Sequence, residues 1–223
     1  MEDWFGFAAA LAAFLLSHAI PVRPPVRHWL VKRLSLRGYL FAYSALSLGL
    51  LWWLIVEAAR APYVEIIPPH EALRWVPLLT MPAVCFLVVA GMARQNPLSF
   101  GGIGTKPFSP DRPGLLAFSR HPLPLAIMLW SIAHMLANGD LAHVILFGLF
   151  ALFSGAAMHM IDRRKQREMG QTEWQRLSRN TALLSLRGLR RMSVSPLQVV
   201  AAALVFAGLL WLHPVVIGVS PMP

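Results

Sequence analysis

The residues in this chain best able to do chemistry are histidines placed where a polar side chain is costly. His18 stands in "LLSHAIP", His213 in "LLWLHPVV", and His121 and His134 bracket the apolar run "SRHPLPLAIMLWSIAHMLANGD". Neutral imidazole is a common metal ligand and the usual axial ligand of haem. An ionisable residue inside an apolar segment usually faces a bundle interior and is either paired or functional. His121 and His134 are thirteen residues apart, so on a helix they differ by roughly 20 Å in depth and point to different faces. They cannot share one metal ion, and each needs its own partner.

Other chemistries leave no trace. There is no His-Glu-x-x-His zinc motif, no Ser–His–Asp arrangement legible from spacing, and "GGIGTK" lacks the context of a phosphate-binding loop. Hydrolase and nucleotide-binding functions are not expected. The single cysteine, Cys85, lies within an apolar run and reads as packing.

The elements that must position these histidines are membrane spans. Of 223 residues, 57% are hydrophobic and only 13% charged, far from the balance of a soluble domain. Apolar runs of 16 to 21 residues recur at Trp4–Ile20, Gly38–Val56, Trp75–Ala93, Pro122–Ala137, Leu141–Ile161 and Val199–Ile217, lengths suited to hydrocarbon about 30 Å thick. The expected fold is all-α, one domain over residues 1–223, a bundle of six transmembrane helices in the lipid bilayer. Acidic Glu2 and Asp3 precede the first run, where a signal peptide has basic residues, so this run is expected to be retained.

Charge orients the bundle. Of 20 Lys and Arg, all but Arg60 and Arg74 fall in the connections after spans 1, 3 and 5. The positive-inside rule then puts both termini on the non-cytoplasmic side. The net charge of +10 reads as attraction to anionic lipid headgroups at the cytoplasmic face, not to nucleic acid. Asn96–Gly114, rich in Gly and Pro, is expected to be an irregular cytoplasmic connection or a lid. "EWQRLSRNTALL" sets Trp174, Leu177, Thr181 and Leu184 on one stripe, predicting one cytoplasmic interfacial helix.

This orientation sorts the histidines into two layers. His18, His121 and His159 fall near the cytoplasmic boundary, while His134, His143 and His213 fall near the outer one; His28 and His70 sit in loops. Helix bundles hold haem between facing helices with one histidine from each. By depth, His134 with His213 is the leading pair for haem and its iron, and His18 with His121 the second.

The same segments, "LLSHAIP", "RGYLFAYSALSLGLL", the "RHP…W-x-x-AH…NGD" block, "IDRR" with "TEWQRLSRNTALL", and "WLHP", resemble the NnrU family of bacterial membrane proteins. That resemblance implies a multi-pass protein of the bacterial inner (cytoplasmic) membrane, associated with denitrification and nitrogen-oxide metabolism in a redox, sensing or maturation role. The pattern is also similar to 15-cis-zeta-carotene isomerases, which use haem b; His18, His121, His134 and His213 fall on histidines of that pattern. It implies iron ligation by His134 with His18 as the alternative to His213. Where the isomerases have a cysteine, this chain has Ser131, so ligand exchange through that thiolate cannot occur. A more distant similarity, through "SRHP" and "DRRKQREMGQTEWQRL", is to isoprenylcysteine carboxyl methyltransferases, whose adjacent glutamate pair is replaced here by residues of "MIDR", 160–163. The functional expectation is a haem-binding membrane protein, with a carotenoid cis-trans isomerase or a cofactor-free transporter as alternatives. The small-molecule ligand is unknown.

Overall fold

The computed structural model describes residues 4–223; Glu2 and Asp3, which bear on the reading of the first run, lie outside them. The chain folds into helices α1 (Phe5–Ala19), α2 (Pro24–Arg60), α3 (Glu71–Met92), α4 (Pro122–Asn138), α5 (Leu141–Met169), α6 (Gln171–Ser178) and α7 (Pro196–Val216), with short 3-10 helices at Gly114–Ala117 and Leu186–Arg191. Among the described residues there is no strand beyond two isolated bridges. Among the described residues four helices, α2, α3, α5 and α7, are long and apolar enough to cross a membrane, which marks a membrane protein. Apolar α1 and α4, of 15 and 17 residues, are shorter than hydrocarbon about 30 Å thick at about 1.5 Å per residue.

The chain divides into two compact units. The first holds the described residues up to Ile67 with Gly139–Leu146. Its basic segment Arg23–Arg37 was expected as a loop, but it is helical and forms the first part of α2. Pro24 and Pro25 suit the first turn of a helix, where no amide partner is needed. The helix is interrupted at Ser35, whose φ of 63° and ψ of 165° are non-helical and carry strain for a residue with a side chain. The Ser35 hydroxyl accepts from the Gly38 amide at 3.3 Å and so starts the apolar stretch as an N-cap does. Tyr39 then donates to the Pro21 carbonyl at 3.2 Å, tying the helix back to its own beginning.

The second unit comprises Pro68–Asn138 and Phe147–Pro223. Here α3 packs on α4 and on α7, over a core that includes Val84, Leu87, Leu98, Leu116, Leu125 and Met158. The connection from α3 to α4 is irregular as expected, yet it is folded inward, with Asn96, Leu98 and Ser99 buried. Gln95 donates to the Lys106 carbonyl at 3.1 Å and Gly104 to that of Met92 at 3.0 Å. A Cβ at Gly104 would stand 2.0 Å from the Ala93 carbonyl oxygen, so only glycine permits this approach.

The predicted interfacial helix is cut short. Instead of continuing to Leu184, α6 ends at Ser178 and the chain turns, Thr181 donating to the Ser178 carbonyl at 2.9 Å. Residues 182–185 then run beside 116–120, with Arg120 donating to Ala182 at 2.8 Å and Ser185 to Phe118 at 2.9 Å. Backbone pairing, which satisfies otherwise orphaned amides and carbonyls, replaces further helical turns. Trp174 and Leu177 pack against the core, so the expected stripe does not persist as one helical face.

Candidate functional site

Within the second unit His121, just before α4, and His134, near its end, stand in different chemical settings. His121 is fully buried, and both of its ring nitrogens are engaged. Nε2 lies 2.8 Å from Asp162 Oδ1 and Nδ1 lies 2.9 Å from Ser99 Oγ. An ionised carboxylate only accepts, so Nε2 donates to Asp162, and in the neutral ring Nδ1 accepts from the Ser99 hydroxyl. Asp162 also receives Arg120 through Nε at 3.2 Å and Nη2 at 2.8 Å, a bidentate pair. The Arg120 guanidinium lies 5.5 Å from the centroid of Trp174 and faces Thr181.

The cluster thus assembles Ser99, His121 and Asp162 from positions whose spacing carried no such signal. The local cause is adjacency: Arg120 and His121 open α4, the inward-folded connection supplies Ser99, and Asp162 is the first charged residue after the apolar stretch of α5. In hydrogen-bond order this is a Ser–His–Asp chain, but its ring is turned the other way from that of a hydrolase triad, with Nδ1 on the serine. Ser99 is only 6% exposed, and no lone pair of His121 is left for a metal. The arrangement suits a closed fastening between the start of α4, α5 and the segment after α6. On α6 itself, a hydrogen bond from Arg176 holds the exposed Glu173 carboxyl below the usual carboxylate range.

At the other end of α4, His134 lies against a pocket of about 290 Å³, partly open, that it shares with His213 of α7. The start of α3 and the ends of α4 and α7 meet there. Pro77, Leu78, Met81, Phe206, Leu209 and Leu210 line it with apolar surface, joined by Arg74, whose Nη2 donates to the Met222 carbonyl at 3.0 Å. His134 Nδ1 is 2.8 Å from the carbonyl of Trp130, four residues back on the same helix. Its ring is also flanked by those of Trp130 at 5.3 Å and Phe147 at 5.5 Å between centroids. His213 Nδ1 is 2.8 Å from the Val219 carbonyl in the segment that follows α7. A carbonyl can only accept, so each neutral ring carries its proton on Nδ1 and leaves the Nε2 lone pair available. This is how a ligating imidazole is commonly oriented by its surroundings.

The remaining histidines have other neighbours. In the first unit His18 Nδ1 meets the Phe14 carbonyl at 2.8 Å, and its ring lies 4.2 Å from Phe14 and 5.7 Å from Tyr43 between centroids. There too Nε2 carries the lone pair. His143 pairs with Asp140 at 2.7 Å; His159 is exposed. Among the described residues no three His, Cys, Asp or Glu side chains come together as a multi-ligand metal centre. Sequence reading missed Ser99, Asp162 and Arg74; only the placement of Arg120 and His121 at the mouth of an apolar run hinted that buried partners were needed.

No curated protein and no solved structure matches the chain. The NnrU protein family matches residues 6–221, a range that takes in both units and every histidine described above, and the chain belongs to that family.

Proposed function

We propose that this protein binds haem b between His134 and His213 and serves nitrogen-oxide metabolism in the membrane. The observation that carries the reading is the shared pocket: two imidazoles from different helices, each with Nδ1 anchored on a backbone carbonyl and Nε2 unengaged. The lining fits such a group in its chemistry, with apolar walls for a macrocycle, two nitrogen donors for its iron, and Arg74 for an anionic substituent. When bound, haem would supply an iron centre capable of electron transfer or of taking a diatomic ligand.

The chain's own contribution is positional. The Trp130 and Val219 carbonyls fix the tautomers, the rings of Trp130 and Phe147 fix the plane of His134, and the leucines of α3 and α7 supply apolar wall. Family membership supports the nitrogen-oxide setting. In the topology we propose, α1 and α4 also enter the bilayer to make six spans of the bacterial inner membrane. Both termini then face away from the cytoplasm, and the pocket opens near that outer surface while the basic segments face inward.

Visible absorption of the detergent-purified protein tests the reading. A sharp Soret band, lost in His134→Ala and in His213→Ala but kept in His18→Ala, is the expected result. Retention in His213→Ala with loss in His18→Ala moves the second ligand to His18. A colourless protein that takes up no added haem overturns the assignment, and growth on nitrogen oxides unchanged by deletion removes the proposed setting.

A further inference from the structure

A second site shares no lining residue with the pocket of His134 and His213. Where the 3-10 helix at Gly114–Ala117 begins, Arg112, Pro113, Gly114, Asn180, Arg191 and Ser193 line a pocket of about 410 Å³. A smaller cleft shares Pro113, Gly114 and Ser193 and adds Arg94. The two are contiguous around Gly114: a Cβ there would lie 3.7 Å from both Arg94 Nη1 and Ser193 Oγ.

Two exposed arginines, Arg112 and Arg191, therefore line the pocket, and a third, Arg94, lines the adjoining cleft. Among the described residues none of Arg94, Arg112 and Arg191 forms an ion pair, in contrast to Arg120, Arg176 and Arg179. The carboxylate that also lines the pocket, Asp111, is already taken by Arg179. Asn180 is held by its side-chain bond to the Pro110 carbonyl at 3.0 Å, which fixes one wall. Like charges gathered without a counter-ion repel one another, and an anion with several acceptor oxygens relieves that repulsion.

We propose that this concavity is a phosphate-group site, with Arg112 and Arg191 gripping the oxygens, Ser193 donating its hydroxyl, and Arg94 adding charge from the adjoining cleft. Planar guanidinium forks match phosphate better than single ammonium charges do. The phosphate belongs either to an anionic lipid headgroup or to a soluble phosphate compound. The inference stands on its own residues and does not depend on haem.

The test uses the full chain in phosphatidylcholine nanodiscs. Arg112→Gln/Arg191→Gln is compared with Lys32→Gln/Arg37→Gln, which removes the same charge from exposed positions of α2. One arm titrates inorganic phosphate by calorimetry. The other measures retention of phosphatidylglycerol over phosphatidylcholine by native mass spectrometry. The pocket variant is expected to lose roughly tenfold or more in one arm, and the control less than about twofold, with thermal midpoints unchanged. Loss in the phosphate arm identifies a soluble ligand; loss confined to lipid retention identifies a headgroup. Equal behaviour of the two variants in both arms, or wild-type protein that neither binds phosphate nor prefers the anionic lipid, overturns the site.

Discussion

His121, just before α4, and His134, near its end, are the same side-chain type, but their hydrogen-bonding capacities are used differently. His121 has both nitrogens committed, one to a carboxylate that is itself held by a guanidinium. His134 has only Nδ1 committed, to a carbonyl of its own helix, and lines a pocket that a second such histidine also lines. The difference teaches that burial alone does not identify a working imidazole. A buried histidine whose partners are complete fastens the fold, whereas one whose partner only fixes the tautomer keeps a lone pair for a further bond.

Substitutions at the two ends of α4 should therefore separate stability from ligand binding. The largest loss is expected for Asp162→Ala, which strands Arg120 and the buried His121 without their carboxylate; breaking such a pair costs roughly 3 kcal/mol. Thermal unfolding in detergent should show a clear drop in midpoint, and an unchanged melt would end the description of this cluster as a fastening. Next comes Gly188→Ala. A Cβ there would meet the Ala117 carbonyl oxygen at 2.0 Å, and forcing the two backbones apart should cost about 1–3 kcal/mol. Limited proteolysis is expected to reach the Leu186–Arg191 segment sooner in that variant.

Ser99→Ala should cost about 1–2 kcal/mol by leaving His121 Nδ1 unpaired in a buried position. It should leave any haem spectrum untouched. If instead the spectrum collapses, the two ends of the helix are coupled and the separation drawn here fails. The smallest stability effect belongs to His213→Ala, which removes one partly exposed hydrogen bond, about 1 kcal/mol or less. This variant should melt close to wild type while losing the Soret band, the inverse of Asp162→Ala.

Parts of this are legible in the sequence alone. The long apolar stretches marked the helices, because a segment that must satisfy its backbone within lipid has few alternatives to a helix. Histidines in such stretches stood out by their cost. Other features were not legible for identifiable reasons. The kink at Ser35 depends on one residue taking a rare backbone conformation inside an otherwise regular helix. The early end of α6 reflects pairing with residues some sixty positions earlier, which competes with a periodicity that favoured continuing the helix. Ser99 and Asp162 lie 22 and 41 residues from His121, and nothing local distinguishes them from other serines and aspartates.

Composition and run length by themselves determined an all-helical membrane protein with imidazoles in costly places, because hydrophobic transfer and backbone satisfaction are properties of contiguous segments. Which imidazole is closed off by Ser99 and Asp162, and which shares a pocket with its counterpart on α7, was decided only by tertiary structure. Hydrogen bonds act over about 3 Å, and only folding brings donors and acceptors from distant positions within that reach.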